Sequence, residues 1–283
     1  MGVKTTTDYL KSWDTAMNAQ SFSQNTITER TRIVRQFEAA TRVDAIAAEP
    51  EVLVTWFASL PSLATRHSYY YSLNAWFHWL NLNDYRLDNP LIRVPKFKQP
   101  KREPRPITSG QLQKVLESDL RAPVRTRILC GAFNGLRIHE IAKIHGSELD
   151  HAEGLLQVTG KGGLTRVIPV HPLVLEDARQ YPRDGYWFPP QSGNTRFPHV
   201  GSHSVGVSIS TAFARVGVKM TPHQLRHYFA TSLLAGEVDS RIVQKLMRHE
   251  SLATTAKYMG VSMPQQREAL TKLDVSGFIN PSR

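Results

Sequence analysis

The 283-residue chain has a single cysteine, Cys130, inside the apolar run Ile128-Leu129-Cys130-Gly131-Ala132-Phe133. One thiol cannot build a disulfide framework, and it cannot supply a cysteine-based zinc site. No stretch approaches the roughly 20 consecutive apolar residues that a membrane-spanning helix needs. The first residues, MGVKTTTDYLKSWD, contain no apolar core segment, so no secretory signal is expected. Internal repeats and low-complexity tracts are absent as well. Acidic groups are in deficit, with 24 Asp and Glu against 35 Lys and Arg.

That deficit is the first positive clue. A net charge of +11 points to a polyanionic partner. The excess is uneven: about +3 lies before residue 104 and about +8 after it, where arginine outnumbers lysine. Arginine presents a rigid fork of donors that suits phosphate oxygens, so the bias favours phosphate recognition over a merely soluble surface. Composition does not separate DNA from RNA. With 41% hydrophobic residues, the chain can bury a sizeable core, and its length suits two domains.

The first 90 residues read as helices. Thr26-Ile27-Thr28-Glu29 has the pattern of a capping box, after which Ile33, Val34, Phe37 and Ala40 recur at helical spacing. Glu51 to Leu60 is a second short apolar segment. Tyr69, Leu73, Trp76, Phe77 and Leu80 share a helical face, expected as core rather than as a base-stacking surface. Residues 90–106 then read PLIRVPKFKQPKREPRP, five prolines with no helical or strand period. Lys96, Lys98, Lys101, Arg102 and Arg105 face only Glu103 there, as in an extended basic linker that could lie along a nucleic-acid backbone.

Beyond the linker, Thr108 or Ser109 can cap a helix. A second helix is expected over about 123–134, stopped by Asn134-Gly135, and another starts between Arg137 and Lys143. Two β-type runs flank Gly160-Lys161-Gly162-Gly163, a hairpin signal. Helical patterns return after residue 202. The expected fold class is mainly α (α+β), with a small helical domain over 1–90, the linker over 91–106, and a helix-rich domain over 107–283 carrying one small antiparallel sheet.

His223 and His227 lie four apart, as in a zinc-binding H-E-x-x-H helix. Here Gln224 replaces the glutamate and Arg226 would set a fixed positive charge beside the ion, so no metal is expected. What His223 and Arg226 do offer is a proton carrier and a guanidinium three residues apart on one helical face, a pairing suited to phosphate.

Arg137 in GLRIHEIAKI, Lys161 in GKGG, His223 and Arg226 in TPHQLRHYFAT, and His249 and Tyr258 in LMRHESLATTAKYMG occur in order. In this the chain resembles the catalytic domain of the tyrosine recombinases, the phage-integrase family, from about residue 105 to 262. Each element alone is weak; six in order are specific.

The resemblance implies the following roles. Tyr258 is the nucleophile, forming a 3′-phosphotyrosyl link. Arg137 and Arg226 clamp the non-bridging oxygens. Lys161 protonates the leaving 5′-hydroxyl, His223 serves as general base, and His249 hydrogen-bonds the scissile phosphate. Glu140, one turn after Arg137, orients its neighbours rather than reacting. Arg166 lies in the same hairpin as Lys161 and is a candidate backbone contact. No cofactor is needed. Arg248 departs from the family pattern, which usually has glycine ending the preceding helix in a left-handed conformation. It should carry a backbone cost there, or the helix ends differently, and its side chain is expected to add a DNA phosphate contact.

At the level of function the resemblance implies a site-specific recombinase for phage or mobile-element integration and excision, lacking an arm-binding domain. The partner would be a double-stranded core-type DNA site bound by a homo-tetramer. The location would be the bacterial cytoplasm, associated with the nucleoid, with no membrane contact. A DNA-bending accessory protein or a directionality factor is left open. The alternatives are an Xer-type dimer resolvase, a type IB topoisomerase and, from a different class, a non-catalytic DNA-binding regulator. Ser262 to Gln265 reads as a capped helix start, and the apolar face at Ala269, Leu270 and Leu273 that follows, with Val275 and Phe278, is expected to dock on a neighbouring subunit.

Overall fold

The computed structural model describes residues 5–98, 106–160, 163–190, 197–248 and 263–273. The chain divides into two compact units, Met1–Arg102 and Glu103–Arg283.

Among the described residues of the first unit the regular elements are all helical, including α1 (Thr6–Ala19), α2 (Gln24–Thr41), α3 (Pro50–Ser59) and α4 (Leu63–Leu82). Its core is aromatic. Trp76, Phe77, Phe37 and Leu73 are fully buried, and Trp13 lies 5.1 Å from Trp76 in a tilted pair. The face of α4 expected as core is core, although Tyr70 rather than Tyr69 is its deeply buried tyrosine. Helix α2 is capped three residues before the expected cap. The Ser23 hydroxyl accepts the Thr26 backbone N–H at 3.3 Å, so Thr26 sits inside the first turn, not at the cap. Ala40, expected on the apolar face, is exposed. Past Pro90 the chain makes a short 3₁₀ turn, and Leu91 and Val94 join this unit's core, so the segment expected as linker starts out packed.

The second unit places α5 (Ser109–Leu116), α6 (Ala122–Phe133) and α7 (Ile138–Ala142) before its sheet. Thr108 caps α5, accepting the Gln111 N–H at 3.2 Å while Gln111 Oε1 accepts the Thr108 N–H at 3.0 Å. Strands β1 (Leu149–Asp150), β2 (Leu155–Thr159) and β3 (Thr165–Pro169) form one antiparallel sheet in the order β1-β2-β3. The register pairs Leu156 with Ile168 and Val158 with Arg166. Alternation along β2 buries Leu156 and Val158. Then come α8 (Pro172–Asp177), α9 (Ser202–Arg215), α10 (His223–Ala235), α11 (Ser240–Met247) and α12 (Met263–Thr271). The fold class is the expected one: helix-rich, with a single small antiparallel sheet.

One expectation meets a different packing. Ala269 and Leu270 on α12, and Leu273 just after it, are buried in the core of their own chain. In the single chain these residues are covered in cis. Ser262, Val275 and Phe278 lie outside the described residues.

Candidate active site

The site grows from the end of α6. After Asn134, Gly135 takes a positive φ of 58°, and a Cβ there would lie 2.5 Å from the ring of Phe229. Only glycine fits. Asn134 ties this corner to the sheet, its amide donating to the Pro169 carbonyl at 2.9 Å. Arg137 then caps α7, and Glu140 in the first turn accepts the Arg137 backbone N–H at 2.7 Å. The same carboxylate accepts Arg137 Nη1 at 3.1 Å and Arg248 Nη2 at 2.8 Å.

Facing this corner is the C-terminal end of α11, whose last carbonyls have no partner within the helix and carry the negative end of its dipole. Three arginines meet them. Arg248 Nη1 donates to the Leu246 carbonyl at 3.0 Å, Arg226 Nη2 to that of Met247, and Arg137 Nη2 to that of Arg248 at 3.3 Å. Arg226 Nη1 and Arg248 Nη2 also converge on the Gly135 carbonyl. Arg226 is only 2% exposed, Arg248 5% and Glu140 3%. The Arg137 side chain retains 27% of its surface.

The electrostatics follow from this crowding. Burial lowers the pKa of the Arg226 guanidinium, and the like charges of Arg248 and Arg137 lower it further. Burial does the same to Arg248, partly offset by Glu140, with Arg166 on β3 near enough to add repulsion. Guanidinium groups remain charged at neutral pH regardless. Burial alone would raise Glu140, but Arg248 and Arg137 outweigh it and hold the carboxyl below its ordinary value. Three cations around one carboxylate leave two positive charges in a desolvated corner, the makings of an anion receptor.

Over residues 105–264 the chain matches the phage integrase family. It belongs to that family. Tyrosine recombinase XerA of Pyrococcus furiosus is 30% identical over 213 residues, 72% of each chain. The integrase from mycobacterium phage Brujita is 39% identical, with 97% of this chain and 94% of that one covered and a TM-score of 0.57. A lambda integrase tetramer bound to a Holliday junction shares the fold, with a TM-score of 0.68 at 16% identity, over 88% of this chain and 78% of that one.

In this tyrosine recombinase the structure brings Arg137, Glu140 and Arg226 together. His223 lies exposed at the start of α10, three residues before Arg226, its ring edge-on to His227 at 4.5 Å. Among the described residues no three His, Cys, Asp or Glu side chains gather as a metal-ligand set. Arg166 is exposed on β3. Lys96 and Lys98 are exposed on the first unit. Lys161, His249 and Tyr258, and with them Lys101, Arg102 and Arg105, lie outside the described residues.

Arg248 requires a correction. It does take the left-handed conformation, at φ 51° and ψ 46°. Its side chain, however, is turned inward, its guanidinium engaged by Glu140 and by the carbonyls of Leu246 and Gly135. The pull of a buried carboxylate explains the direction. Gly135 and the backbone carbonyls of α11 were not singled out from sequence as parts of the site. The Gly-Leu-Arg motif carried the signal for Gly135; nothing in a sequence marks a carbonyl.

Proposed function

We propose that this tyrosine recombinase cleaves and rejoins duplex DNA at a core-type site, in phage or mobile-element integration and excision. The observation that supports it most is the doubly cationic corner of Arg137, Arg226 and Arg248 around Glu140, in a chain 39% identical to a phage integrase.

Tyr258 Oη attacks the phosphorus, the bond to the 5′ oxygen breaks, and a 3′-phosphotyrosyl bond keeps the strand attached for religation. His223 takes the tyrosine proton, and Lys161 supplies one to the leaving 5′ oxygen. Charge building on the non-bridging oxygens is met by Arg137, the least buried of the three guanidiniums, and by Arg226, with His249 as a further donor. Glu140 orients Arg137. The two units would clamp the duplex, with Lys96, Lys98, Lys101, Arg102, Arg105 and Arg166 along the backbone. Four protomers would act on two duplexes in a bacterial cell, associated with the nucleoid, with or without an accessory bending protein or a directionality factor.

The test is a covalent-capture selection. The protein is mixed with a library of nicked duplexes whose broken strand prevents religation, and DNA surviving denaturation is sequenced. Recovery of one site family, lost with Tyr258→Phe, is expected. Binding without covalent product would overturn the reading in favour of a regulator. The XerA relative favours a second reading, dimer resolution. Two copies of the recovered site on one plasmid, against one copy on each of two, separate resolution from integration.

A further inference from the structure

Arg248 sits at φ 51°, where a glycine would pay no backbone cost. A side chain retained in a left-handed conformation calls for a compensating gain. Its contacts show where that gain lies. The Arg248 guanidinium, 5% exposed, bonds Glu140 at 2.8 Å and the carbonyls of Leu246 and Gly135 at 3.0 and 3.2 Å. Its own carbonyl accepts Arg137 Nη2 at 3.3 Å. Arg248 therefore grips Arg137 twice, through the backbone directly and through Glu140.

We propose that Arg248 is a positioning residue for cleavage: it neutralises Glu140 within a buried ion pair, so that the charges of Arg137 and Arg226 are left for the phosphate.

The charge balance makes the argument quantitative. Arg137 and Arg226 against Glu140 alone amount to one net positive charge; with Arg248 the corner carries two. A pentacoordinate phosphorane formed from a phosphodiester carries about two negative charges, spread over its oxygens, so the second positive charge counts most in the transition state. Arg248 itself does not touch DNA. Its loss should lower the rate of chemistry and leave duplex affinity and its salt dependence alone.

This inference rests on the recombinase reading, and the experiment keeps the two apart. Single-turnover formation of covalent adduct is measured at saturating nicked duplex bearing the selected site, alongside duplex affinity and the thermal midpoint. The proteins are wild type, Arg248→Gln, Arg248→Lys, Arg248→Gly, Glu140→Gln and the double variant Arg248→Gln/Glu140→Gln. Arg248→Gln should lose about 10- to 100-fold in rate with unchanged affinity. Arg248→Lys, able to make one bond to Glu140, should recover part of that loss. Arg248→Gly removes the backbone cost, so it should fold at least as well as Arg248→Gln while still cleaving slowly. In the Glu140→Gln background, with no carboxylate to neutralise, Arg248→Gln should change the rate by no more than about twofold.

Wild-type rates in Arg248→Gln and Arg248→Gly would overturn the proposal. So would a loss of equal size with and without Glu140, or one that tracks the thermal midpoint through all the variants. A wild-type protein that forms no Tyr258-dependent adduct would overturn the recombinase reading, and the positioning role with it.

Discussion

The two units bury different things. In the first, Met1–Arg102, the buried set among the described residues is apolar except for Thr6 and Thr31, and its centre is a cluster of indole and phenyl rings around Trp76. In the second, Glu103–Arg283, Arg127, Glu140, Arg226 and Arg248 lie below one-tenth exposure, along with Asn134 and His171. Rings and aliphatic chains stabilise by leaving water, and they tolerate imprecise partners. Buried guanidiniums must each find acceptors, or the desolvation cost stands uncompensated. The second unit meets most of that demand with the carboxylate of Glu140 and the carbonyls at the end of α11, and for Arg127 with the Ser208 hydroxyl. Among the described residues, Nε of Arg127 and of Arg248 is left without a hydrogen-bond partner. The contrast separates a unit built for stability from one that gives up some stability to hold concentrated charge.

The contrast can be attacked from its apolar side first. Trp76→Ala removes the largest fully buried side chain of the first unit and should cost about 3–5 kcal/mol in chemical denaturation followed by a probe in that unit. Amide exchange in Glu103–Arg283 under native conditions should stay unchanged. Accelerated exchange there would mean that the two units do not stand separately.

On the charged side, Gly135→Ala should cost about 2–4 kcal/mol, combining a positive φ with a contact to a fully buried ring. The added Cβ would lie 2.5 Å from Phe229, and the carbonyl that holds Arg226 and Arg248 would shift with it. Cleavage should therefore fall by more than the loss of folded protein explains. A variant as stable and as active as the parent would show that the corner is looser than drawn.

The smallest effect is set by pH. His171 caps α8 and is 3% exposed; burial pushes its imidazole pKa down to about 4. The unfolded chain takes up a proton near pH 6.5 and the folded one does not until near 4. Stability is therefore full above about pH 6.5 and is lost as pH falls through that window, by about 2–3 kcal/mol between pH 6.5 and 4.5. His171→Asn can still cap the helix and should flatten the thermal midpoint between pH 4.5 and 6.5. An unchanged slope would show that His171 does not carry the acid sensitivity of that window, because Glu140, whose carboxyl is held below its ordinary value, acts only at lower pH.

Much of the molecule was legible beforehand, for reasons tied to particular residues. Leu73, Trp76, Phe77 and Leu80 recur at helical spacing and are buried in α4, because periodicity reports one face of one element. The hairpin showed itself through two β-type runs and the glycines between them, and the cap of α5 was narrowed to Thr108 or Ser109. The start of α2 was missed because Ser23 competes with Thr26 for the same cap, a choice decided by backbone geometry.

Sequence alone determined the class of fold, the family, and the identities of Arg137, Glu140 and Arg226 as a group, because local periodicity and motif order are written in the chain itself. Tertiary structure alone decided which way Arg248 turns, which carbonyls hold the guanidiniums, and that the apolar face of α12 is covered by its own subunit. Those outcomes depend on elements more than a hundred residues apart, Gly135 and Glu140 on one side and the end of α11 on the other. The energy of a buried charge is set by what lies within a few ångströms of it, and sequence spacing carries no record of that distance.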